Sequence, residues 1–255
     1  MGLRLDFLGT DAVTPAAGED TACLLINGRV LVDVGWHSPA SLARLGLSPL
    51  NLEWVLLTHL HHDHYMALPQ LLFWRWMKAG DDRRPLHLAG PVEDLARVVE
   101  LSVAFLQAER FGATIDVALH PLSPGDCLEV AGMRVGTART RHPVASLCYR
   151  FDDPESGKSM AYTGDTAYEP ALAGLIGGVD LLVHEASLGA RAGDPSNAQW
   201  GHSGAPDAAR LAQQAGVSRL LLVHAAPAQR GAAIAAARNI FPATDWAPAG
   251  EPLHL

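Results

Sequence analysis

The chain has 255 residues, 49% of them hydrophobic and 18% charged, and a formal net charge of −8. That apolar share supports a sizeable core, and the acidic balance argues against tight, non-specific binding to nucleic acid, which needs a basic footprint. No apolar run approaches the ~20 residues that span a bilayer, and the first residues lack the pattern of a signal peptide.

Cys23, Cys127 and Cys148 are far apart and odd in number, and read as buried thiols in a reducing compartment. The expectation is a soluble cytoplasmic protein with one domain over residues 1–255, dimers being the commonest assembly.

Residues 3–8, 21–26 and 29–34 read as strands, the last two joined by Asn27-Gly28, a strong hairpin signal. The loop 9–20 is polar and flexible enough to reach over a site. Ser38 and Pro39 read as the cap and first residue of a short helix closed by Gly46. Residues 53–58 form an apolar fourth strand, expected to be buried on both faces. It runs directly into Thr58-His59-Leu60-His61-His62-Asp63-His64.

A helix follows over 66–78, its Trp74 and Trp76 expected in the core. A short strand at 85–88 precedes a long amphipathic helix, opened by Gly90-Pro91 and ended by Gly112, with Leu95, Val98, Val99, Phe105 and Leu106 at helical spacing. Strands return at 115–119, 127–130, 133–139, 146–151 and 158–163. Helices at 169–176, 206–215 and 228–239 are interleaved with strands at 179–183, 219–223 and 253–254. Strand-rich runs followed by helices occur in both halves. That pattern points to an α/β fold with two sheets packed face to face and helices outside.

Four histidines and an aspartate within six positions, directly after an apolar run, are hard to account for by packing. Side chains two apart in a strand share a face, so His59 and His61 can meet. A turn after His62 would bring Asp63 and His64 to the same place and leave His62 pointing away. Imidazole with carboxylate suits zinc and other borderline metals, and ligand type alone does not separate zinc from manganese or iron.

Later strands end in further candidates: His142, Asp165, His184-Glu185-Ala186-Ser187 and His224. Rigid strand ends can hold ligands while loops leave one side open. Singly, these residues read as a turn residue, an Asx-turn or a core histidine. Jointly they favour a metal site.

His59-x-His61-x-Asp63-His64 with His142, Asp165 and His224 resembles the full ligand set of the metallo-β-lactamase superfamily. The resemblance covers essentially the whole chain, Asp33-Val34-Gly35 included. It implies a four-layer αβ/βα sandwich with a dinuclear site at one edge, holding two divalent ions, zinc first and manganese or iron as alternatives. Carried over position by position, His59, His61 and His142 would hold one ion. Asp63, His64 and His224 would hold the second, and Asp165 would bridge them.

His184-Glu185-Ala186-Ser187 and Gly201-His202-Ser203 resemble two further motifs of the ribonuclease Z-like phosphodiesterase branch. By that resemblance His202 would assist at the leaving group or bind phosphate, and Glu185 would orient it; Asp63 could also accept a hydrogen bond from the nucleophile. The interval from His142 to Asp165 is too short for the long tRNA-gripping arm of many ribonuclease Z enzymes.

The implied activity is hydrolysis by a hydroxide shared between two metals, cleaving phosphodiester bonds of a small-molecule or nucleotide-like substrate without a stable nucleic-acid complex. The alternative is a lactonase or β-lactam-type hydrolase on the same site, and after it an iron redox protein of the same fold. Arg139 and Arg141 are expected on a solvated edge, on the face opposite His142. His37, just after Asp33-Val34-Gly35, either borders the site or faces solvent, and residues 189–200 are the expected lid.

Overall fold

The computed structural model describes residues 2–80, 84–112, 114–194 and 199–255. The first sheet contains β1 (Arg4–Gly9), β2 (Cys23–Ile26), β3 (Val30–Val32), β4 (Trp54–Leu56), β5 (Leu86–Pro91), β6 (Val117–Leu122) and, at its other edge, β14 (Leu253–His254). The second contains β7 (Cys127–Val130), β8 (Met133–Arg139), β9 (Leu147–Asp153), β10 (Lys158–Tyr162), β11 (Leu181–Glu185), β12 (Arg219–Val223) and β13 (Thr244–Trp246). The orders are β14-β1-β2-β3-β4-β5-β6 and β13-β12-β11-β10-β9-β8-β7. Within them β3 to β6 run parallel, as do β10 to β13.

Alternation within single strands builds the four layers. In β2, Leu24 and Ile26 face the core between the sheets, while Cys23 and Leu25 face a second core. That second core is closed by α1 (Ser38–Arg44), α2 (Leu68–Ala79) and α3 (Leu95–Leu106). In β12, Leu221 and Val223 join the central core, while Leu220 and Leu222 pack under α4 (Ala173–Ile176), α5 (Ala205–Ala215) and α6 (Pro227–Arg238). Strands covered on both faces need continuous apolar runs, and Leu-Leu-Leu-Val is one. Each fully buried Leu or Val contributes about 1.5–3 kcal/mol of transfer free energy.

The sandwich matches the architecture expected from the sequence, and β4 is buried on both faces as expected. Trp74 packs partly buried against the outer core of the first sheet. Several details differ. Gly90-Pro91 end β5 instead of opening the helix, which runs only from Leu95 to Leu106 and leaves Phe105 exposed. Cys127 is exposed because it starts β7, an edge strand, whereas Cys23 and Cys148 are buried. β13 was not anticipated: three residues, Thr-Asp-Trp, carry no apolar run, and the strand exists because it pairs with the edge of β12. The loop 9–20 is not free to swing: Arg230 of α6 binds Asp11 at 2.6 Å and Glu19 at 3.0 Å, and Asp11 bridges to Thr21. Among the described residues no helix is long and apolar enough to cross a membrane.

Candidate metal centre

The parallel strands end at one edge of the sandwich, where the polar residues gather. β3 delivers Asp33, β4 delivers Thr58 and His59, β10 leads to Asp165, β11 ends in Glu185 and β12 leads to His224. After His59 the chain makes a short 3-10 turn, His62–His64, which turns Asp63 and His64 inward. Two bonds hold that turn: Val34 N–H donates to His64 O at 2.7 Å, and Thr21 Oγ1 donates to Asp63 O at 2.8 Å.

The donor atoms fall into two principal groups. His59, His61 and His142 offer ligand atoms within 4.8 Å of one another, and so do Asp63, His64 and His224. Asp165 Oδ2 stands between them, 3.9 Å from His59 Nε2, 3.7 Å from His64 Nε2 and 3.5 Å from His224 Nε2. Asp63 Oδ2 is 3.4 Å from His64 Nε2 and 3.3 Å from His224 Nε2. The seven residues singled out as ligands from the sequence are therefore brought together. His62 is exposed and turns its ring towards Trp36, as its position in the motif suggested. His37 is exposed, its backbone N–H bound to Asp20.

The hydrogen bonds behind the histidines show what the centre fits. His59 Nδ1 meets Thr58 Oγ1 at 3.1 Å, and His64 Nδ1 meets Asp33 Oδ2 at 2.8 Å. His142 Nδ1 meets Gly201 O at 2.9 Å, and His224 Nδ1 meets Ser187 Oγ at 2.8 Å. An imidazole whose Nδ1 donates outward presents a lone pair at Nε2. His59 Nε2 and His64 Nε2 are buried with no hydrogen-bond partner, a cost of about 1–3 kcal/mol each if nothing else satisfied them. Inward lone pairs beside two carboxylates are the donor set of a divalent-cation site, and the residues fit two such ions.

Asp33 was noted in the sequence but given no role. It is fully buried, and it accepts from Thr58 N at 2.8 Å and from Thr58 Oγ1 at 2.9 Å as well as meeting His64. Through Thr58 it reaches His59, so one carboxylate stands behind a histidine of each group. What pairs it with Thr58 is register, which the sequence does not carry: β3 and β4 are parallel neighbours with Val32 opposite Leu56, so the residues that follow them lie side by side.

Asp33 and His224 both adopt positive φ, 60° and 64°, a conformation costing about 1–3 kcal/mol for a non-glycine residue. Gly164, at φ 59°, lets the loop before Asp165 pass Thr58: a Cβ there would lie 2.6 Å from Thr58 Cβ.

His202 and Glu185 form the open side. His202 Nδ1 is 3.1 Å from Glu185 Oε1 and 3.7 Å from Asp165 Oδ2, and its ring stacks on His224 at 5.9 Å. Its side chain is 29% exposed, against 1% for Glu185, so His202 meets solvent while its carboxylate does not. Burial lowers the His202 pKa, but the Glu185 hydrogen bond and the charges of Glu185, Asp165 and Asp63 outweigh it and bring it up to about 9. Burial would raise the Asp63 carboxyl, yet the adjacent His224 and His64 imidazoles hold it well below the usual carboxylate range.

A cleft of about 410 Å³ opens beside His202, lined also by Leu188, Gly193, Asp194 and Trp200. Residues 195–198, part of the expected lid, lie outside the described residues. Gly193 N–H is tied to Asp207 at the start of α5. Arg139 and Arg141 are exposed as expected, but Arg141 also lines a second cleft that His202 shares.

Ribonuclease Z of Methanothermobacter thermautotrophicus is 27% identical over 296 aligned positions, covering 96% of this chain and 94% of that one. Among solved structures, the metallo-β-lactamase fold protein YhfI from Bacillus subtilis superposes with a TM-score of 0.85 at 22% identity, covering 100% of both chains. The short form of human tRNase Z does so with 0.75 at 20% identity, covering 98% of each. The β-lactamase superfamily domain pattern matches residues 28–225; the chain belongs to that superfamily, and it is a hydrolase of the metallo-β-lactamase fold.

Proposed function

We propose that this chain is a two-metal phosphodiesterase that cleaves a small or nucleotide-like phosphodiester, with His59, His61 and His142 holding one ion, Asp63, His64 and His224 the other, and Asp165 shared. The observation that carries the reading is His202, held by buried Glu185 at the open rim and 3.7 Å from the shared Asp165. A proton donor in that place serves a departing oxygen. The relatives named ribonuclease Z and tRNase Z support phosphorus as the reacting centre.

Bound there, two divalent ions would acidify water and offset negative charge on a phosphoryl group. The protein's own groups do the rest. Asp63, kept ionised by its histidine contacts, accepts a hydrogen bond from the attacking water and aims it. His202 Nδ1 faces Glu185, which fixes the ring and leaves Nε2 as its free nitrogen among the described residues. A proton carried at Nε2 passes to the leaving oxygen as the phosphorus–oxygen bond breaks, a contribution of about 10²–10⁴-fold in rate.

Between His142 and Asp165 the chain makes only β9, a four-residue turn and β10. No arm projects there to grip a folded RNA, which supports a small or single-stranded substrate. The metal-loaded protein is expected to hydrolyse bis(p-nitrophenyl) phosphate, to lose that activity on chelation and to recover it with zinc or manganese. Turnover of lactones at least ~10³-fold faster than phosphodiesters, a gap of ~4 kcal/mol in transition-state stabilisation, would replace this reading with lactone hydrolysis.

A further inference from the structure

Glu185 does more than face His202. Its Oε1 accepts from Thr166 N at 2.6 Å and meets His202 Nδ1 at 3.1 Å. Its Oε2 accepts from Ser187 Oγ at 2.5 Å and from Ser187 N at 3.2 Å. Ser187 Oγ in turn lies 2.8 Å from His224 Nδ1. A serine hydroxyl has one proton to give. An ionised carboxylate can only accept, so that proton belongs to the bond with Glu185. His224 Nδ1 must then be the donor to Ser187 Oγ, which leaves the His224 lone pair at Nε2, the atom that faces Asp63 and Asp165.

We infer that Ser187 is a positioning residue that sets the tautomer and orientation of His224 and joins it to the carboxylate that holds His202. The inference rests on the metal-centre reading proposed above. Its content is a chain of three contacts, His224 to Ser187 to Glu185 to His202. One carboxylate thereby orients an imidazole that faces a cation and an imidazole that faces the substrate. Removing the hydroxyl breaks the first two contacts: His224 loses the partner of its Nδ1 and Glu185 Oε2 loses a donor, while Glu185 Oε1 still faces His202.

The test uses the full-length protein loaded with two zinc ions, with Ser187→Ala and Ser187→Thr compared by competition against a chromophoric chelator. Ser187→Ala is expected to weaken one of the two ions by about 10–100-fold and leave the other unchanged. Ser187→Thr, which keeps the hydroxyl, should restore the lost affinity. The inference is overturned if Ser187→Ala holds both ions as tightly as the parent, loses both equally, or is not rescued by threonine. A parent protein that binds no zinc would instead overturn the metal-centre reading itself, so the two failures are distinguishable.

Discussion

The two halves of the sandwich support the centre through different carboxylates. In the first half, Asp33 is fully buried, touches His64 directly and reaches His59 through Thr58. Everything it orients belongs to the cluster of donor atoms. In the second half, Glu185 is equally buried but divides its oxygens between His224, through Ser187, and His202, whose side chain is 29% exposed. The first arrangement can grip but has no route to a substrate. The second grips at one end and meets the cleft at the other. Under the proposed function, that difference would give both sheets a part in holding cations and the second sheet alone a part in proton transfer.

His202→Ala should break that comparison most sharply. On bis(p-nitrophenyl) phosphate its kcat should fall by about 10²–10⁴-fold, while elemental analysis still finds two ions per chain. Unchanged turnover would take His202 out of the chemistry and leave Glu185 as mere support, like Asp33. Asp33→Asn comes next. It keeps the shape but removes the charge that favours the His64 Nδ1 proton, so metal affinity should fall by about 10–100-fold. Because Asp33 stands behind a ligand candidate in each group, both ions should weaken, in contrast to the single ion expected for Ser187→Ala. A chelator titration showing only one weakened ion would mean that the Thr58 link to His59 carries no energy.

The clustering of the donor side chains was legible in the sequence because the residues are local or follow recognisable strands. His59 to His64 lie within six positions, Asp165 and His224 follow the apolar runs Met-Ala-Tyr and Leu-Leu-Leu-Val, and His142 follows β8, where buried Met133 and Val135 flank exposed Arg134. The supports were not legible, since they depend on register and backbone geometry. Thr58 bonds Asp33 only because β3 and β4 end level, and Ser187 reaches His224 only because β11 and β12 run parallel with Glu185 opposite Val223. Loop 9–20 shows the same limit. Its polarity suggested a cover for the site, whereas Arg230 pins it from α6 and Thr10 O accepts from His224 N at 2.7 Å, so it props the centre from behind. Composition reported that the loop is polar and could not report what its charges bind.

The cleft beside His202 sharpens the comparison on the substrate side. Trp200, 66% exposed, stands with Leu188 next to the proposed proton donor. A large aromatic left that open, two residues from His202, offers a flat apolar face where the leaving group would depart. Stacking of a planar leaving group on it is worth about 0.5–1.5 kcal/mol beyond buried area, so Trp200→Ala should raise KM for aryl or nucleoside phosphodiesters about 2- to 10-fold. An alkyl phosphodiester has no ring to stack and should show little change. Metal content should not move, because Trp200 is not among the donor groups. Equal losses on aryl and alkyl substrates would mean that Trp200 shapes the cleft generally. A loss confined to aryl substrates would place leaving-group selection in the second half of the molecule, beside the residue proposed to protonate it.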